Sequence, residues 1–273
     1  MRPHQPLNHP VKPIQNAIQF IAVSAFLTWA ASSSGAEQQC SVASGATVTP
    51  VIELYTSEGC SSCPPADKWA STFKEKSKDG AAVVQAFHVG YWDYIGWADR
   101  FAAPAYTQRQ RDIGMREGLR SAYTPQAVLN GKDWPRWSAG SPASVTQAAA
   151  KDLARARITL QQLGADQFEA SVTAVATPSN PAPAANWSAY WTVTEHGHTS
   201  KVKAGENAGE FLKHDFVVRQ YTPAGEYKNS SSAQKLAFRS IAPTPGHPRQ
   251  INLVVFDPQT GATLQALSLQ CGA

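Results

Sequence analysis

Two cysteines three positions apart, Cys60 and Cys63, enclose Ser61-Ser62 and carry the sharpest chemistry in the sequence. Thiols at this spacing can close a disulfide across the first turn of a helix and open it again. The reactive species is the thiolate. A helix N-terminus favours it, because free N–H groups and the helix dipole stabilise the negative charge. In such a pair the first cysteine is the exposed attacker and the second resolves the mixed disulfide. Cys60 is therefore expected as the nucleophile and Cys63 as the resolving thiol. An inert disulfide and half of a metal site use the same spacing. A zinc site brings further Cys or His ligands nearby; the nearest histidine is His88, and there is no second pair of this kind.

Other side chains are candidates to serve this pair. Glu53 lies in an otherwise apolar stretch seven residues before Cys60. Buried there, it would have a raised pKa and relay protons to a thiol; strand alternation could instead turn it to a polar partner or the surface. Glu58 is expected to be solvated. Thr124-Pro125 stands between a helix and a strand, where a cis X-Pro bond would offer backbone groups to an extended peptide. His88 either approaches the cysteines or bonds a carbonyl. In a metal-binding reading, Cys60, Cys63 and His88 would be ligands for Cu(I). Tyr91 to Trp97 reads as a cleft wall or a packing wedge. Arg109 and Arg111 either hold an anion or lie on a solvated helix face.

The elements that must position these residues follow from pattern. Val48 to Tyr55 is short, apolar and β-branched, and predicts a buried strand. Pro64 and Pro65 suit a first helical turn, and Ala66, Trp69, Ala70 and Phe73 form one apolar helix face. Ala81 to Phe87 predicts a second strand, parallel to the first through a right-handed crossover. Thr107 to Gly118 reads as a helix and Gln126 to Asn130 as a strand. Asn130-Gly131 is a hairpin turn. Ser141-Pro142 caps a helix with Val145, Ala148, Ala149 and Leu153 on one side. After Ala156 the helical period gives way to alternating runs: 167–175, 187–194, 216–221, 236–241, 251–256 and 263–269. Pro- and Gly-rich turns separate them, as in an antiparallel sandwich.

The N-terminus reads as a signal peptide over 1–36. Arg2 and Lys12 precede an apolar run from Ala17 to Ala31, and Ser34-Gly35-Ala36 fits a cleavage site. An uncleaved anchor is the alternative, but the run is short and carries Gln19, Ser24 and Thr28. Removing 1–36 takes away Arg2, Lys12 and no acidic residue, so the net charge falls from +4 to +2. That balance gives no reason to expect nucleic acid or an anionic membrane as partner. All four cysteines lie beyond residue 36. Of the three possible pairings, Cys60–Cys63 with Cys40–Cys271 is favoured, the second tying the chain ends together.

Strand, Cys60-Ser61-Ser62-Cys63, helix, strand, Thr124-Pro125, strand and helix together resemble a thioredoxin fold. The closer resemblance is to DUF1223, a bacterial family of unknown function. It rests on Glu53 to Asp67, on Phe87 to Trp97, on Tyr123 to Gln126, and on Gly205-Glu206-Asn207-Ala208-Gly209 with Val217-Val218-Arg219. Gly90 departs from the pattern, in which Asp is frequent. The resemblance implies an exported α/β thioredoxin-like domain followed by a mainly antiparallel β-sandwich-like domain, here 37–156 and 157–273. It implies no settled activity.

The resulting expectation is a periplasmic or secreted thiol–disulfide oxidoreductase. Cys60, Cys63, Pro125 and Glu53 form its site, Cys40–Cys271 is its structural bridge, and it needs no cofactor. Its partner would be a protein or peptide thiol or disulfide, with no membrane span after cleavage. A copper-binding protein and a non-enzymatic interaction module are the alternatives.

Overall fold

The computed structural model describes residues 40–271 apart from 183 and 231, together with 1, 3, 10 and 11. The expected signal peptide lies almost wholly outside the described residues. Within the compact unit Gln38–Ala273, the elements run β1 (Ser41–Ala43), β2 (Val51–Thr56), α1 (Cys63–Ser71), α2 (Lys74–Lys78), β3 (Val83–His88), a 3-10 turn (Gly90–Ile95), α3 (Pro104–Arg116), β4 (Gln126–Leu129), β5 (Lys132–Asp133), a 3-10 turn (Trp137–Ala139) and α4 (Pro142–Ala149). From Ala156 onward the regular elements are all strands: β6 (Ala156–Gly164), β7 (Gln167–Ala174), β8 (Asn186–Glu195), β9 (His198–Lys201), β10 (Phe211–His214), β11 (Val217–Lys228), β12 (Gln234–Arg239), β13 (Arg249–Phe256) and β14 (Thr263–Leu269). The fold is mostly β.

Eight strands form one mixed sheet in the order β14-β13-β8-β11-β3-β2-β4-β5. β2 and β3 are parallel, and β4 returns antiparallel to β2. The two halves of the chain join where β11 runs parallel to β3, through the pair Val217 and Ala86. Strands from before and after residue 156 thus share one large sheet within the compact unit.

β2 and β3 are buried along their whole length, which is why both read as unbroken apolar runs rather than alternating ones. Ile52 and Leu54 pack with Val84, α1 and Val145 of α4. Tyr55 and Phe87 point the other way, to Tyr106 and Ile113 of α3. Helices therefore cover both faces of this part of the sheet. At the far end, β1-β6-β7-β12 form a second, antiparallel sheet. It packs on the large one through Ile158, Leu160 and Val172 against Trp187, Trp191 and Leu253.

Some boundaries differ from pattern. α4 stops at Ala149, and Leu153 lies beyond it, 48% exposed. The chain turns there to enter β6, and Thr47 bridges Leu153. The Ser141 cap is present as a capping box with Ser144. Asn130 and Gly131 take positive φ in the turn between β4 and β5.

Candidate active site

The Cys60–Cys63 pair is a disulfide with a Cα–Cα separation of 5.4 Å. Cys63 is the first residue of α1, and Pro64-Pro65 fill positions whose N–H groups have no intrahelical acceptor. Buried β2 ends just before Ser57 and holds the loop from behind. Gly59 permits a close approach: a Cβ there would stand 3.0 Å from Trp92 Cβ. Trp92 in turn donates its indole N–H to Thr124 Oγ1 at 2.8 Å. The Thr124-Pro125 peptide is cis. Because Tyr55 pairs with Gln126, Pro125 enters its strand beside the end of β2, on the side toward the cysteine loop.

The exposed attacker expected at position 60 is not what the structure shows. Cys60 is 1% exposed and Cys63 fully buried, while Ser61 and Ser62 face solvent. The connection between β9 and β10 is bonded to this loop. Asn207 donates its side-chain amide to the carbonyls of Glu58, at 2.8 Å, and Cys60, at 3.0 Å. Glu206 accepts the Ser61 N–H at 2.9 Å.

Glu58 corrects a second expectation. Instead of being solvated it is fully buried. Trp97 Nε1 donates to its Oε2 at 2.7 Å, and His214 Nε2 lies 3.1 Å from its Oε1. Burial pushes its pKa up, but the bonds from His214 and its other partners outweigh this and hold it below the usual range. His214 reaches a second carboxylate, Asp67 of α1, with Nδ1 3.6 Å from Oδ2. Burial alone would lower the histidine; Asp67 and Glu58 overcome it and hold the pKa at about 9. His214 is therefore an imidazolium at neutral pH, shared between two buried acids flanking the cysteines in sequence.

His88 bonds neither a cysteine nor a carbonyl. Its Nδ1 lies 2.7 Å from Asp99 Oδ2, and its ring meets that of His214 edge-on at 5.0 Å. Asp99 also accepts the Glu58 N–H at 2.9 Å, so the His88–Asp99 pair braces the cysteine loop. Burial raises the Asp99 pKa, and His88 and two backbone N–H groups bring it below the ordinary value.

Glu53 is buried as expected, but its proton affinity goes the other way. Arg109 grips it through Nε–Oε2 and Nη2–Oε1, both 2.8 Å. Tyr55 and Tyr190 hydroxyls donate to it at 2.7 and 3.2 Å. Burial pushes the Glu53 pKa up, and the Arg109 charge and these bonds push it further down. Both oxygens are engaged, so this carboxylate holds a fixed ion pair and has no proton to relay. The anion that Arg109 holds is internal, and its guanidinium also lies 4.0 Å from the Tyr190 ring.

Cys40 and Cys271 form the second disulfide, spanning 231 residues with Cα atoms 5.8 Å apart. Among the described residues, no three His, Cys, Asp or Glu side chains are grouped to hold a metal ion.

Reading by residue type missed Asp67, Asp99, His214, Asn207 and the burial of Glu58. Asp67 had a signal: it stands i+4 from Cys63 and i−3 from Ala70, on the helix face that proved buried. His214 shares the buried face of β10 with Leu212, the two alternating with exposed Phe211 and Lys213. Asn207 and Glu206 belong to the Gly205–Gly209 motif.

A family model for proteins of unknown function, DUF1223, matches residues 51–256. The chain belongs to the DUF1223 family. That span contains the whole cysteine loop, its acidic and histidine partners, and the Glu206 and Asn207 contacts to it. This DUF1223 chain is similar to a structural-genomics crystal structure of a protein from Agrobacterium tumefaciens, at 22% identity and a TM-score of 0.62, over 83% of this chain and 96% of that one. It is also similar to HBP35 of Porphyromonas gingivalis, at 15% identity and a TM-score of 0.54, over 82% of this chain and 75% of that one. At these identities the likeness is one of fold. No curated protein matches the DUF1223 chain.

Proposed function

We propose that this DUF1223 protein is an exported thiol–disulfide oxidoreductase whose first half is a thioredoxin-like unit. The observation that carries the reading is the place of the Cys60–Cys63 disulfide. It caps the N-terminus of α1 directly after a buried parallel strand, where the helix end favours a thiolate. Pro125, beside the end of β2, flanks the route by which a substrate segment would approach.

In the reducing direction the Cys60 thiolate attacks one sulfur of a substrate disulfide. A mixed disulfide forms and the other substrate sulfur leaves as a thiolate. The Cys63 thiolate then attacks Cys60 Sγ, breaks the mixed bond and closes Cys60–Cys63. Two electrons pass to the substrate, whose thiolates take up the two protons the cysteines release. The reverse sequence oxidises a substrate dithiol. With Cys60 buried, either direction requires the cysteine loop to open locally, a gating step of the kind that loops commonly perform, and the Glu206 and Asn207 bonds to that loop oppose it. Export is supported by the N-terminal sequence pattern and by a second, long-range disulfide, Cys40–Cys271, which suits an oxidising compartment.

Insulin reduction and refolding of a scrambled disulfide protein test the reading. Activity should vanish in Cys60→Ser, and Cys63→Ser should accumulate a mixed disulfide on Cys60. Absence of both activities in the wild-type protein overturns it. The burial of both sulfurs favours one rival, a bracing disulfide in an interaction module. That rival stands if the Cys60–Cys63 bond survives excess dithiol reductant in the folded protein.

A further inference from the structure

A pocket of about 460 Å3 is lined by Tyr91, the chain neighbour of Trp92, and by Gln126, the chain neighbour of Pro125; its volume is within the size range of small-ligand sites. Tyr91 and Gln126 line its inner wall; Gln110, Arg111, Met115 and Arg120 complete it from α3 and the connection that follows. Its contents can be read from two orphaned polar atoms.

The first is the Gln110 carbonyl. Asp133 can only accept, so Gln126 presents its Nε2 to Asp133 Oδ1 at 2.7 Å. The Gln126 oxygen is then left to accept from Gln110 Nε2 at 2.9 Å, and the same nitrogen donates to Tyr123 O at 2.8 Å. This chain fixes the amide orientation. Gln110 Oε1, on a residue 1% exposed, has no partner. The second orphan is the buried Tyr91 hydroxyl, which stands near Gln110 and Thr124 without closing a hydrogen bond to either. An unfilled buried acceptor and an unfilled buried hydroxyl are costly to leave unmet. A peptide group answers both, its N–H to Gln110 and its C=O to Tyr91.

The rim supplies the charge. Arg111 and Arg120 are exposed and, among the described residues, neither enters an ion pair. Among the described residues, no carboxylate lines the pocket. Met115, 69% exposed, adds an apolar lip.

We infer that this pocket binds an extended, acidic peptide segment of the protein substrate, with a main-chain amide between Gln110 and Tyr91 and a carboxylate on Arg111 and Arg120. The assignment of the peptide as substrate rests on the oxidoreductase reading, whereas the binding itself involves no electron transfer.

The test is fluorescence anisotropy on the full protein with the Cys60–Cys63 disulfide intact. The probe is a labelled, end-blocked Ser/Gly heptapeptide with central Asp residues, against the same peptide with Asn. The Asp peptide should bind about tenfold tighter, with the advantage shrinking as salt rises. Arg111→Glu with Arg120→Glu should abolish that preference, and Tyr91→Phe should weaken both peptides about threefold. Thermal melts establish that each variant is folded. Equal affinity for the two peptides, no binding of either, or a preference that persists in the double arginine variant overturns the inference. None of these outcomes touches the insulin-reduction test, and loss of redox activity leaves this one intact.

Discussion

The side-chain amide of Asn207 donates to the backbone carbonyl of Cys60 from 147 residues away in the chain. With Glu206 on Ser61 N–H, it makes the cysteine loop a shared property of both halves of the sequence. Asn207→Ala should speed reduction of Cys60–Cys63 by a small phosphine about tenfold, since local opening then costs less. It should also lower stability by about 1–3 kcal/mol, because two buried carbonyls lose a donor. Timed alkylation and denaturant melts measure these; an unchanged reduction rate would show that the connection does not hold the loop closed.

His214 makes stability depend on alkaline pH. Its folded pKa of about 9 lies above the ordinary 6.5. Its contribution is therefore complete below about pH 6.5 and is lost as pH rises through about 9, at about 2–4 kcal/mol in all. Glu58, with its pKa lowered, acts in the opposite window, losing its contribution as pH falls through the acidic range. Unfolding of wild type and His214→Gln, compared from pH 6 to 10, should show a gap that closes at the alkaline end. A gap independent of pH would mean His214 is neutral throughout.

Breaking the Glu53–Arg109 pair from one side leaves a buried charge alone. Arg109→Met should cost about 3–5 kcal/mol. Adding Glu53→Gln should recover part of that loss, because the partnerless carboxylate is gone. Redox activity normalised to folded protein should stay within about twofold in the double variant, since the pair holds its charge and passes no proton. A much larger fall in activity with intact folding would return Glu53 to the reaction.

Cys40→Ser with Cys271→Ser releases a loop of 231 residues. In the chain-entropy account such a loop is worth roughly 4–5 kcal/mol, with measured effects commonly smaller. Denaturant midpoints should fall accordingly, while mass-spectrometric mapping still finds Cys60 joined to Cys63. Mispairing of Cys60 in this variant would mean the long bridge directs the short one.

By itself the sequence determined what is local. The apolar runs around Ile52 and Val84 specify strands buried on both faces, and Ala66 and Ala70 with Pro64-Pro65 specify the start of α1 and so the seat of Cys63. Asn130-Gly131 specifies its hairpin turn. Each depends on neighbours within a few residues, where backbone geometry ties spacing to face. What surrounds the cysteines was decided only in three dimensions. Glu58 is polar and sits in a turn, so nothing nearby says it is buried; Trp97 and His214 make that burial tolerable from 39 and 156 residues away. Glu53 is equally mute about its proton affinity until Arg109 arrives 56 residues later. Exposure of Cys60 was the plainest case, because its burial depends on packing within a fold whose second half, through Asn207, bonds the loop from 147 residues away. A charge or a thiol in a dry site takes its properties from whichever polar groups packing brings within about 3–4 Å, and periodicity carries no record of those distances.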